Sequence, residues 1–302
     1  MLDNCNDIFV LPHADPKWST HGNLLTWNST YKGAIWASCH AVSVLENMFN
    51  PAAPAQQTNF LANNSGGPGS QALVPFGSHK DGTLPYNDNS YATDPVMQVM
   101  GSIDGATNNG SESIYLPSSG GGWRPSSKVG VYDPSHPDVP ALSADKAAAL
   151  VWGRGFGDSN RGWVMYEAGH SQNKGTEAEM VAAQRAFFNF SFMAALVKTM
   201  DITVSGIQNV MVSKNLYNLT ATISQAIPSG PHTAQWSSTC GGTFSNPTSL
   251  STTFTPDSVG PPTSCVISLK VSDACGRTRF FTQNITIVYQ ARPPVAQADS
   301  LT

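Results

Sequence analysis

The sequence predicts an α/β domain built on a parallel β-sheet, followed by an all-β sandwich domain. Up to about residue 200, apolar strand segments alternate with helical segments, and this alternation favours a parallel sheet with helices on its faces. From about residue 201 onwards, short segments of alternating polar and apolar residues are separated by turn residues, a pattern typical of an antiparallel sandwich. We therefore expect domains at residues 1–200 and 201–290, and a chain of 302 residues is long enough for both.

Two strand–helix pairs open the first domain. Residues 7–15 (DIFVLPHAD) predict a strand that runs into a loop, and residues 19–31 predict a helix that is capped by Ser19. Residues 33–39 (GAIWASC) form a short apolar run, which indicates a strand buried on both faces. The next helix is predicted at residues 40–49, because the Asn-Pro pair that follows disfavours helical backbone.

A long irregular segment separates these pairs from the rest of the domain. Residues 51–125 are rich in Pro, Gly, Asn and Ser, and a segment of this length predicts functional loops, with one helix at 94–101 and a strand at 112–117. After it we expect strands at 128–134, 147–155 and 161–169 and a helix at 177–199. Apolar residues cover most of the circumference of this last helix, so it should be buried against the sheet or the next domain.

The second domain is predicted from the alternation of its side chains. In residues 265–271 the side chains at every second position, beginning with Cys265, are apolar and should share one inward face. Trp236 should be the buried tryptophan of one of the sheets. Residues 291–302 are rich in Pro and Ala and predict a linker to a further module of the same polypeptide.

Composition argues against several classes of function. The net charge is −4 and charged residues make up 12% of the chain, so nucleic acid is not an expected partner. No apolar run approaches the roughly 18 residues of a membrane span, so we expect no membrane insertion. The first ten residues, MLDNCNDIFV, lack the basic and apolar regions of a signal peptide. The expected ligand is a small molecule, a peptide or a glycan, and no cofactor is predicted.

Cys39 lies at the join of a predicted strand and a predicted helix, in the segment KGAIWASCHAVSVLEN (32–47). A sharp strand-to-helix turn exposes the side chain at its apex above the edge of the sheet. Such a crowded turn needs small residues two positions before and after the apex, and Ala37 and Ala41 meet this need. The start of the helix would favour the thiolate and offer backbone N–H groups to an oxyanion, so Cys39 is a candidate nucleophile.

The segments VLPHAD (10–15) and KGAIWASCHAVSVLEN (32–47) resemble the class I glutamine amidotransferase-like superfamily. The PfpI-type branch has the sequence Ala-x-Cys-His-Gly at this turn, where this chain has Ala41 in place of the Gly. The segment GWVMYEAGHSQNKGT (162–176) is similar to the strand and loop that present the catalytic His in that superfamily, and to ThuA-like proteins of the same fold. The resemblance covers roughly residues 7–200. It implies a three-layer, flavodoxin-like fold that lacks the family's first one or two strand–helix units, as an N-terminally truncated domain would.

The same resemblance assigns roles to the candidate catalytic residues. Cys39 is the nucleophile, and either His170 or, as in the PfpI-type branch, His40 moves the proton. In amidotransferases a Glu two positions after the catalytic His orients it. This chain has Gln172 there, and an amide cannot stabilise an imidazolium as a carboxylate does. The carboxylates that could replace that Glu are Glu46, Glu167 and Glu177.

Two functions remain open on the sequence. The first is a Cys-dependent hydrolase or amidase acting on a C–N bond, with Glu167, Trp123 and Arg124 as candidate substrate contacts. The second is a catalytically degenerate scaffold that binds a ligand or supports adhesion at the cell surface. A Cys39 thiol near an imidazole in an open cleft favours the enzyme, whereas a Cys39 sealed under residues 51–125 favours the scaffold.

No metal site is predicted from the sequence. His13, His21, His79 and His136 lie in or near predicted loops, and no two of them have the i,i+4 spacing of metal ligands on a helix. The five cysteines include no CxxC pair, so a zinc ribbon is not expected.

The second domain resembles a polycystic-kidney-disease-type (PKD) Ig-like module over residues 201–290. The segments AQWSSTCGGTFSNPTS and SCVISLKVSDACGR stand where that family has its Trp strand and its VTLTVTDxxG strand. The resemblance implies a spacer, or a module that binds glycans or surfaces, in a secreted or cell-surface bacterial protein. Cys240 ends one predicted strand and Cys265 begins its neighbour, so these two could form a disulfide, with Cys275 as the rival partner. A disulfide would imply an oxidising compartment and hence export.

Overall fold

The chain consists of two compact units in the computed structural model. One comprises Met1–Lys198 and the other Thr199–Thr302, and we call them the α/β unit and the sandwich unit. The predicted helix cap Ser19, the residue His79 and the predicted linker 291–302 lie outside the described residues. The structure describes residues 2–13, 21–54, 57–64, 66–75, 77–78, 81–138, 146–227, 229–257 and 260–289.

The α/β unit alternates strands and helices along its described residues. Its helices are α1 (Gly22–Thr30), α2 (His40–Asn47), α3 (Asp104–Thr107) and α4 (Glu177–Leu196). Its strands are β1 (Ile8–Leu11), β2 (Ala34–Ser38), β3 (Ala62–Asn63), β4 (Gly122–Trp123), β5 (Lys128–Asp133), β6 (Ala147–Arg154) and β7 (Trp163–Glu167). Among the residues described in both units, no helix combines the length and apolar character that crossing a membrane requires.

The main sheet of the α/β unit is mixed, with the strand order β1-β2-β7-β6-β5. Strands β1, β2 and β7 are parallel, as the sequence predicts. Strand β6 runs antiparallel to both of its neighbours, β7 and β5, so the expectation of a wholly parallel sheet is wrong at β6, whereas β5 runs in the same direction as β7. The connection between β6 and β7 spans residues 155–162 only, which is too short for the helical crossover that parallel neighbours need.

The three parallel strands end at one edge of the sheet. In the register, Leu11 of β1 is level with Ala37 of β2, and Ser38 of β2 is level with Glu167 of β7. The Ser38 hydroxyl also donates a hydrogen bond to the carbonyl of Pro12, which ties the ends of β1 and β2 together. Side chains that follow these three strands are therefore brought to the same place.

Helices α2 and α4 contact opposite faces of this sheet. The Phe187 ring of α4 packs edge-on against the ring of Trp36 on β2, with 5.1 Å between the ring centroids. The hydroxyl of Tyr166 on β7 donates a hydrogen bond to the Glu46 carboxylate of α2. Trp36 is level with Met165, so Trp36 and the next residue, Tyr166, point to opposite faces.

Helix α4 is buried against the sheet along one face, which agrees with one of the two expected positions. Its buried positions are mostly alanines, which allow a close approach to the sheet. Phe188, Phe192 and Leu196 point the other way, and their exposed fractions are 55%, 70% and 67%. The helix is therefore buried on its sheet side only, although apolar residues cover most of its circumference.

The segment 51–125 contains less regular structure than predicted. Residues 94–101 form turns rather than a helix. The Asp94 carbonyl accepts hydrogen bonds from the backbone of the next turn, and Val99 then adopts a left-handed φ of 55°, which ends the helical path. The strand predicted at 112–117 is reduced to isolated bridges, one of them between Tyr115 and Ala148. The segment nevertheless contributes buried side chains to the core, among them Phe60, Leu61, Leu73, Ile114 and Tyr115.

The sandwich unit has two four-stranded sheets that share a core. Its strands are β8 (Met200–Ser205), β9 (Val210–Val212), β10 (Tyr217–Gln225), β11 (Thr233–Ser238), β12 (Thr243–Phe244), β13 (Ser251–Thr255), β14 (Thr263–Ser272) and β15 (Thr278–Val288). The sheet orders are β12-β13-β10-β8 and β11-β14-β15-β9, and β9 pairs parallel to β15 whereas the other pairs are antiparallel.

Side chains from both sheets fill this core. Trp236 is buried, and the alternate residues of 265–271 face inward, as predicted. A disulfide joins Cys240 to Cys265, which decides between the two pairings that the sequence left open for Cys240. The bond suits a protein of an oxidising compartment.

Candidate active site

Cys39 occupies a strained turn between β2 and α2. Its backbone has φ 51° and ψ −142°, a conformation that costs a residue with a Cβ about 1–3 kcal/mol. Ala37 and Ala41, two positions away on either side, are fully buried, so larger side chains would not fit there. Strained backbone of this kind persists only where its surroundings hold it, and it is concentrated at functional sites.

The thiol of Cys39 lies between an imidazole and a carbonyl group. Its Sγ atom is 3.8 Å from Nδ1 of His170, and the thiol donates a hydrogen bond of 3.3 Å to the Ser111 carbonyl. Cys39 is buried, whereas His170 is exposed to solvent. Within the part of the chain that the structure describes, Cys39 is the one cysteine with a free thiol.

The loop 109–112 holds His170 in this position. The backbone N–H of His170 donates to the Asn109 carbonyl at 2.7 Å, and the N–H of Gly169 donates to the Glu112 carbonyl at 3.2 Å. Gly110 packs directly on the imidazole, because a Cβ at that position would lie 2.5 Å from the Cβ of His170. The position of the imidazole therefore depends on a loop whose role the sequence did not indicate.

Two further histidines lie beside the thiol. One ring nitrogen each of His13 and His40 lies within 4.8 Å of Cys39 Sγ and of the other. The His13 ring centroid is 4.8 Å from that of His40 and 4.3 Å from that of His170. The sequence singled out His40 and His170 as catalytic candidates but not His13. The pairing of β1 with β2 could have indicated His13, because His13 and Cys39 both follow the ends of these parallel strands.

A cavity of about 690 Å³ adjoins the site. Its described lining includes Ser111, whose carbonyl accepts the hydrogen bond of Cys39, but neither Cys39 nor His170. Its wall is polar and consists of Gly77, Asp81, Gly82, Asn108, Gly110, Ser111 and Glu112. A cavity of this size and polarity can hold a small polar molecule.

Glu112 is a second strained residue at this site. Its φ is 60°, and its carboxylate accepts a hydrogen bond of 3.0 Å from the Ser43 hydroxyl. Burial raises the pKa of Glu112 to about 8, although the hydrogen bond from Ser43 lowers it in part. At neutral pH most of this side chain is therefore protonated. The sequence did not indicate Glu112, which lies in the irregular segment.

Glu167, predicted as a substrate contact, is fully buried. The Trp36 indole donates a hydrogen bond of 3.1 Å to its carboxylate. Burial raises the pKa of Glu167 to about 8, while Trp36 and the nearby amide of Gln172 lower it in part. The described residues that line the cavity do not include Glu167.

The other two carboxylates that could orient the imidazole lie elsewhere. Glu46 is buried in α2 and accepts hydrogen bonds from the backbone N–H groups of Leu61 and Ala62, at 2.7 and 2.6 Å. Burial raises the pKa of Glu46 to about 7, and its role is to hold the start of the irregular segment against α2. Glu177 is exposed at the start of α4.

Trp123 and Arg124 are not brought together with Cys39. The Trp123 indole donates to the Lys146 carbonyl at 2.8 Å, and Arg124 donates to the Asn59 and Phe60 carbonyls at 2.9 and 3.2 Å. Both line a smaller cavity of about 180 Å³, and none of its described lining residues belongs to the cavity beside Cys39. Their side chains thus serve to fix backbone around β4.

Comparisons with known proteins identify no family. The sequence matches no protein-family model and no curated protein. Three solved structures show a distant likeness. The first is the PKD domain from KIAA 1837 protein (18% identity, TM-score 0.24), which is matched over 33% of this chain and 94% of that domain.

The second is a nucleoside hydrolase-related hypothetical protein from Saccharophagus degradans that is associated with carbohydrate metabolism (15% identity, TM-score 0.28). The third comprises extracellular cadherin domains 1–4 of protocadherin gamma B7 (9% identity, TM-score 0.21). They are matched over 61% and 46% of this chain, and this chain spans 43% and 30% of theirs. With TM-scores this low, none of the three likenesses supports a statement about fold or function.

Proposed function

We propose that the α/β unit is a Cys-dependent hydrolase that cleaves a C–N bond in a small polar substrate. The observation that carries the proposal is the pair formed by Cys39 and His170. A thiol at the apex of a strained strand-to-helix turn lies 3.8 Å from an imidazole nitrogen, next to a cavity of about 690 Å³. A nucleophile and a base at this separation are the minimum arrangement for acyl transfer.

The reaction follows the usual course of thiol acyl transfer. The thiol proton of Cys39 moves to His170, the sulfur forms a bond to the substrate carbonyl carbon, and the carbonyl π electrons move to its oxygen. The C–N bond then breaks, and the leaving amine takes the proton from the imidazolium. Water attacks the resulting thioester with His170 as base, the C–S bond breaks, and the acid and the free thiol are restored.

His40 has a different role in this scheme. His170 Nδ1 lies 3.8 Å from the thiol sulfur, and we assign the role of base to His170. The backbone N–H groups of His40 and Ala41 lie in the first turn of α2, where N–H groups have no partner within a helix and can stabilise an oxyanion.

Gln172 bears on the speed of the reaction. No carboxylate follows His170 at the position where amidotransferases carry one, and the Gln172 amide lies near Glu167. An imidazolium without a carboxylate partner is less stable, so we expect slow turnover.

The family resemblance belongs to this proposal. We infer an amidotransferase-like, three-layer domain because α2 and α4 contact opposite faces of a sheet whose inner strand β2 leads into the Cys39 turn. The antiparallel strand β6 departs from a wholly parallel sheet. We also infer a PKD-type Ig-like module for the sandwich unit. Its disulfide supports a place outside the cell or on the surface of a bacterium, alongside further modules.

A degenerate scaffold is the second candidate function, and one observation favours it. Cys39 is fully buried, and the carbonyl that accepts its hydrogen bond belongs to Ser111 of the irregular segment. In this case the strained turn is a remnant of catalysis, and the cavity binds a ligand without turnover.

Acyl transfer to Cys39 tests the proposal directly. The protein is incubated with p-nitrophenyl acetate and with a panel of primary carboxamides, and product release is combined with mass spectrometry of the quenched protein. We expect an acyl group on Cys39, no release with Cys39→Ser, and a loss of about 100-fold or more with His170→Ala. His232→Ala in the sandwich unit is the matched control and should behave like the wild type. A wild type that forms no acyl-Cys39 and matches Cys39→Ser contradicts the hydrolase and leaves the scaffold.

A further inference from the structure

We propose that His13, Cys39 and His40 form a binding site for a zinc-type divalent metal ion. The three residues come from two neighbouring strand ends, because β1 and β2 are parallel and in register. The sequence shows no metal-ligand spacing at this site, since His13 lies 26 residues before Cys39. Only the fold brings His13 close to Cys39 and His40. The inference does not rest on the proposed hydrolysis, although it uses the same thiol.

The distances between the ligand atoms fit a zinc site. One ring nitrogen of His13, one of His40 and Sγ of Cys39 all lie within 4.8 Å of one another. With Zn–S and Zn–N bonds of about 2.3 and 2.0 Å, ligand atoms in a tetrahedral site lie about 3.5 Å apart. The distances between the ligand atoms therefore need to shorten by at most about 1.3 Å, which is within the reach of side-chain rotation.

The burial of the three side chains suits this adjustment. Cys39 is buried and fixed by its turn, so the sulfur serves as the anchor. His40 is half-buried at the start of α2, and His13 is exposed beyond the end of β1. The exposed imidazole of His13 can rotate onto an ion without disturbing the core.

The chemistry of the donors selects the ion. A thiolate and two imidazoles are the donors that zinc takes in proteins, whereas Mg²⁺ and Ca²⁺ require oxygen ligands. Binding converts the Cys39 thiol to a thiolate and releases its proton to water, with no change of oxidation state. Three protein ligands leave the fourth position open, and His170 Nδ1 lies 3.8 Å from the sulfur.

Metal occupancy and thiol chemistry exclude each other at this site. A thiolate bound to zinc is no longer available to attack an electrophile. We therefore expect saturating Zn²⁺ to slow the alkylation of Cys39 by iodoacetamide at least tenfold, and a chelator to restore the rate. This readout does not depend on any substrate.

Cobalt titration of the full chain tests the site. Co²⁺ replaces zinc and, when bound to a thiolate, gives an intense charge-transfer absorption that oxygen and nitrogen ligands do not give. We expect one equivalent of Co²⁺ to produce this absorption and Zn²⁺ to abolish it. The absorption should be lost with His13→Ala and with Cys39→Ser, and kept with His232→Ala, a histidine of the sandwich unit.

His13→Ala is the decisive variant because His13 is exposed and its loss leaves the core intact. Its circular dichroism should match that of the wild type. If the wild type gives no thiolate–cobalt absorption, or if His13→Ala binds Co²⁺ as tightly as the wild type, the proposal is overturned. Acyl transfer to Cys39 in metal-free protein remains a separate result, so failure of one proposal does not decide the other.

Discussion

The two units of the chain treat buried carboxyl groups in opposite ways. In the α/β unit, burial raises the pKa of Glu112 and of Glu167 to about 8, because few hydrogen bonds compensate for lost hydration. In the sandwich unit, burial also acts on Asp273, but hydrogen bonds from Ser229, Gln225 and Arg277 outweigh it and lower the pKa to about 2.

We infer from this difference that the α/β unit is adapted for function and the sandwich unit for stability. Cys39 and Glu112 combine left-handed backbone with burial beside a cavity, which is a costly arrangement for a structural role alone. Asp273 instead accepts backbone hydrogen bonds of 2.9 Å from both Cys275 and Arg277 and closes the turn between β14 and β15. The predictions below test this contrast, from the largest expected effect to the smallest.

The largest effect is expected from pH on the α/β unit. The pKa of Glu167 is about 8 in the folded protein and ordinarily 4.5, so the folded state binds the proton more tightly. Its contribution to stability is full below pH 4.5 and is lost as the pH rises to 8. Between pH 5 and pH 8, the unfolding free energy of the wild type should fall by on the order of 4 kcal/mol more than that of Glu167→Gln.

Urea unfolding followed by tryptophan fluorescence measures this, since six of the seven tryptophans belong to the α/β unit. Glu177→Gln, at an exposed position of α4, is the control and should keep the wild-type slope. Equal slopes for Glu167→Gln and the wild type would show that Glu167 ionises normally.

The next effect concerns the disulfide of the sandwich unit. Cys240 and Cys265 close a loop with a sequence separation of 25, and replacing both by Ala should lower the stability of this unit by about 3 kcal/mol. Hydrogen exchange of the β14 backbone, read by mass spectrometry, reports this loss. The alkylation rate of Cys39 should not change, and a change would contradict the separation of roles between the units.

Gly110→Ala is expected to impair the site without touching its catalytic groups. The added Cβ would meet the Cβ of His170 at 2.5 Å, and φ at this position is 93°, so the imidazole must move. A shift of about 1 Å can cost about 100-fold in rate, which is the loss we expect in the hydrolysis of p-nitrophenyl acetate. Gly101→Ala, where a Cβ meets nothing within 4 Å, is the matched control. Wild-type rates for Gly110→Ala would show that the loop does not position His170.

The smallest effect is expected from Asp273→Asn. The folded pKa of about 2 lies below the ordinary 3.8, so the carboxylate stabilises the sandwich above pH 3.8 and loses this effect as the pH falls towards 2. At pH 6 the variant should be less stable by on the order of 2 kcal/mol, and the difference should vanish near pH 2. Asp201→Asn, at an exposed position of β8, is the control in the same hydrogen-exchange measurement. A difference that persists at pH 2 would exclude ionisation as its cause.

Local patterns in the sequence predicted the elements that carry the candidate nucleophile. The apolar run of β2, the small residues around Cys39 and the start of α2 are all encoded within one segment. The alternation in β14 likewise predicted which side chains face the sandwich core. Both patterns involve residues that are neighbours along the chain, and such patterns can be recognised from local composition and periodicity.

The remaining features of the site depend on contacts between distant segments. Gly110 and Glu112 lie in a segment without periodicity, and their positions follow from packing against the His170 loop and α2. His13 is visible only through the register of β1 with β2. Trp123 and Arg124 were predicted from residue type alone, and the fold brings them to a different cavity.

The rate of Cys39 alkylation by iodoacetamide as a function of pH tests the central claim most directly. It is measured by mass spectrometry on folded, metal-free protein, with His170→Ala in parallel. The account predicts fast labelling near neutral pH, below the pKa of about 8.5 of a free thiol, and slower labelling in His170→Ala. Labelling that needs unfolding, or that follows the profile of a free thiol and ignores His170, would contradict a working thiol–imidazole pair.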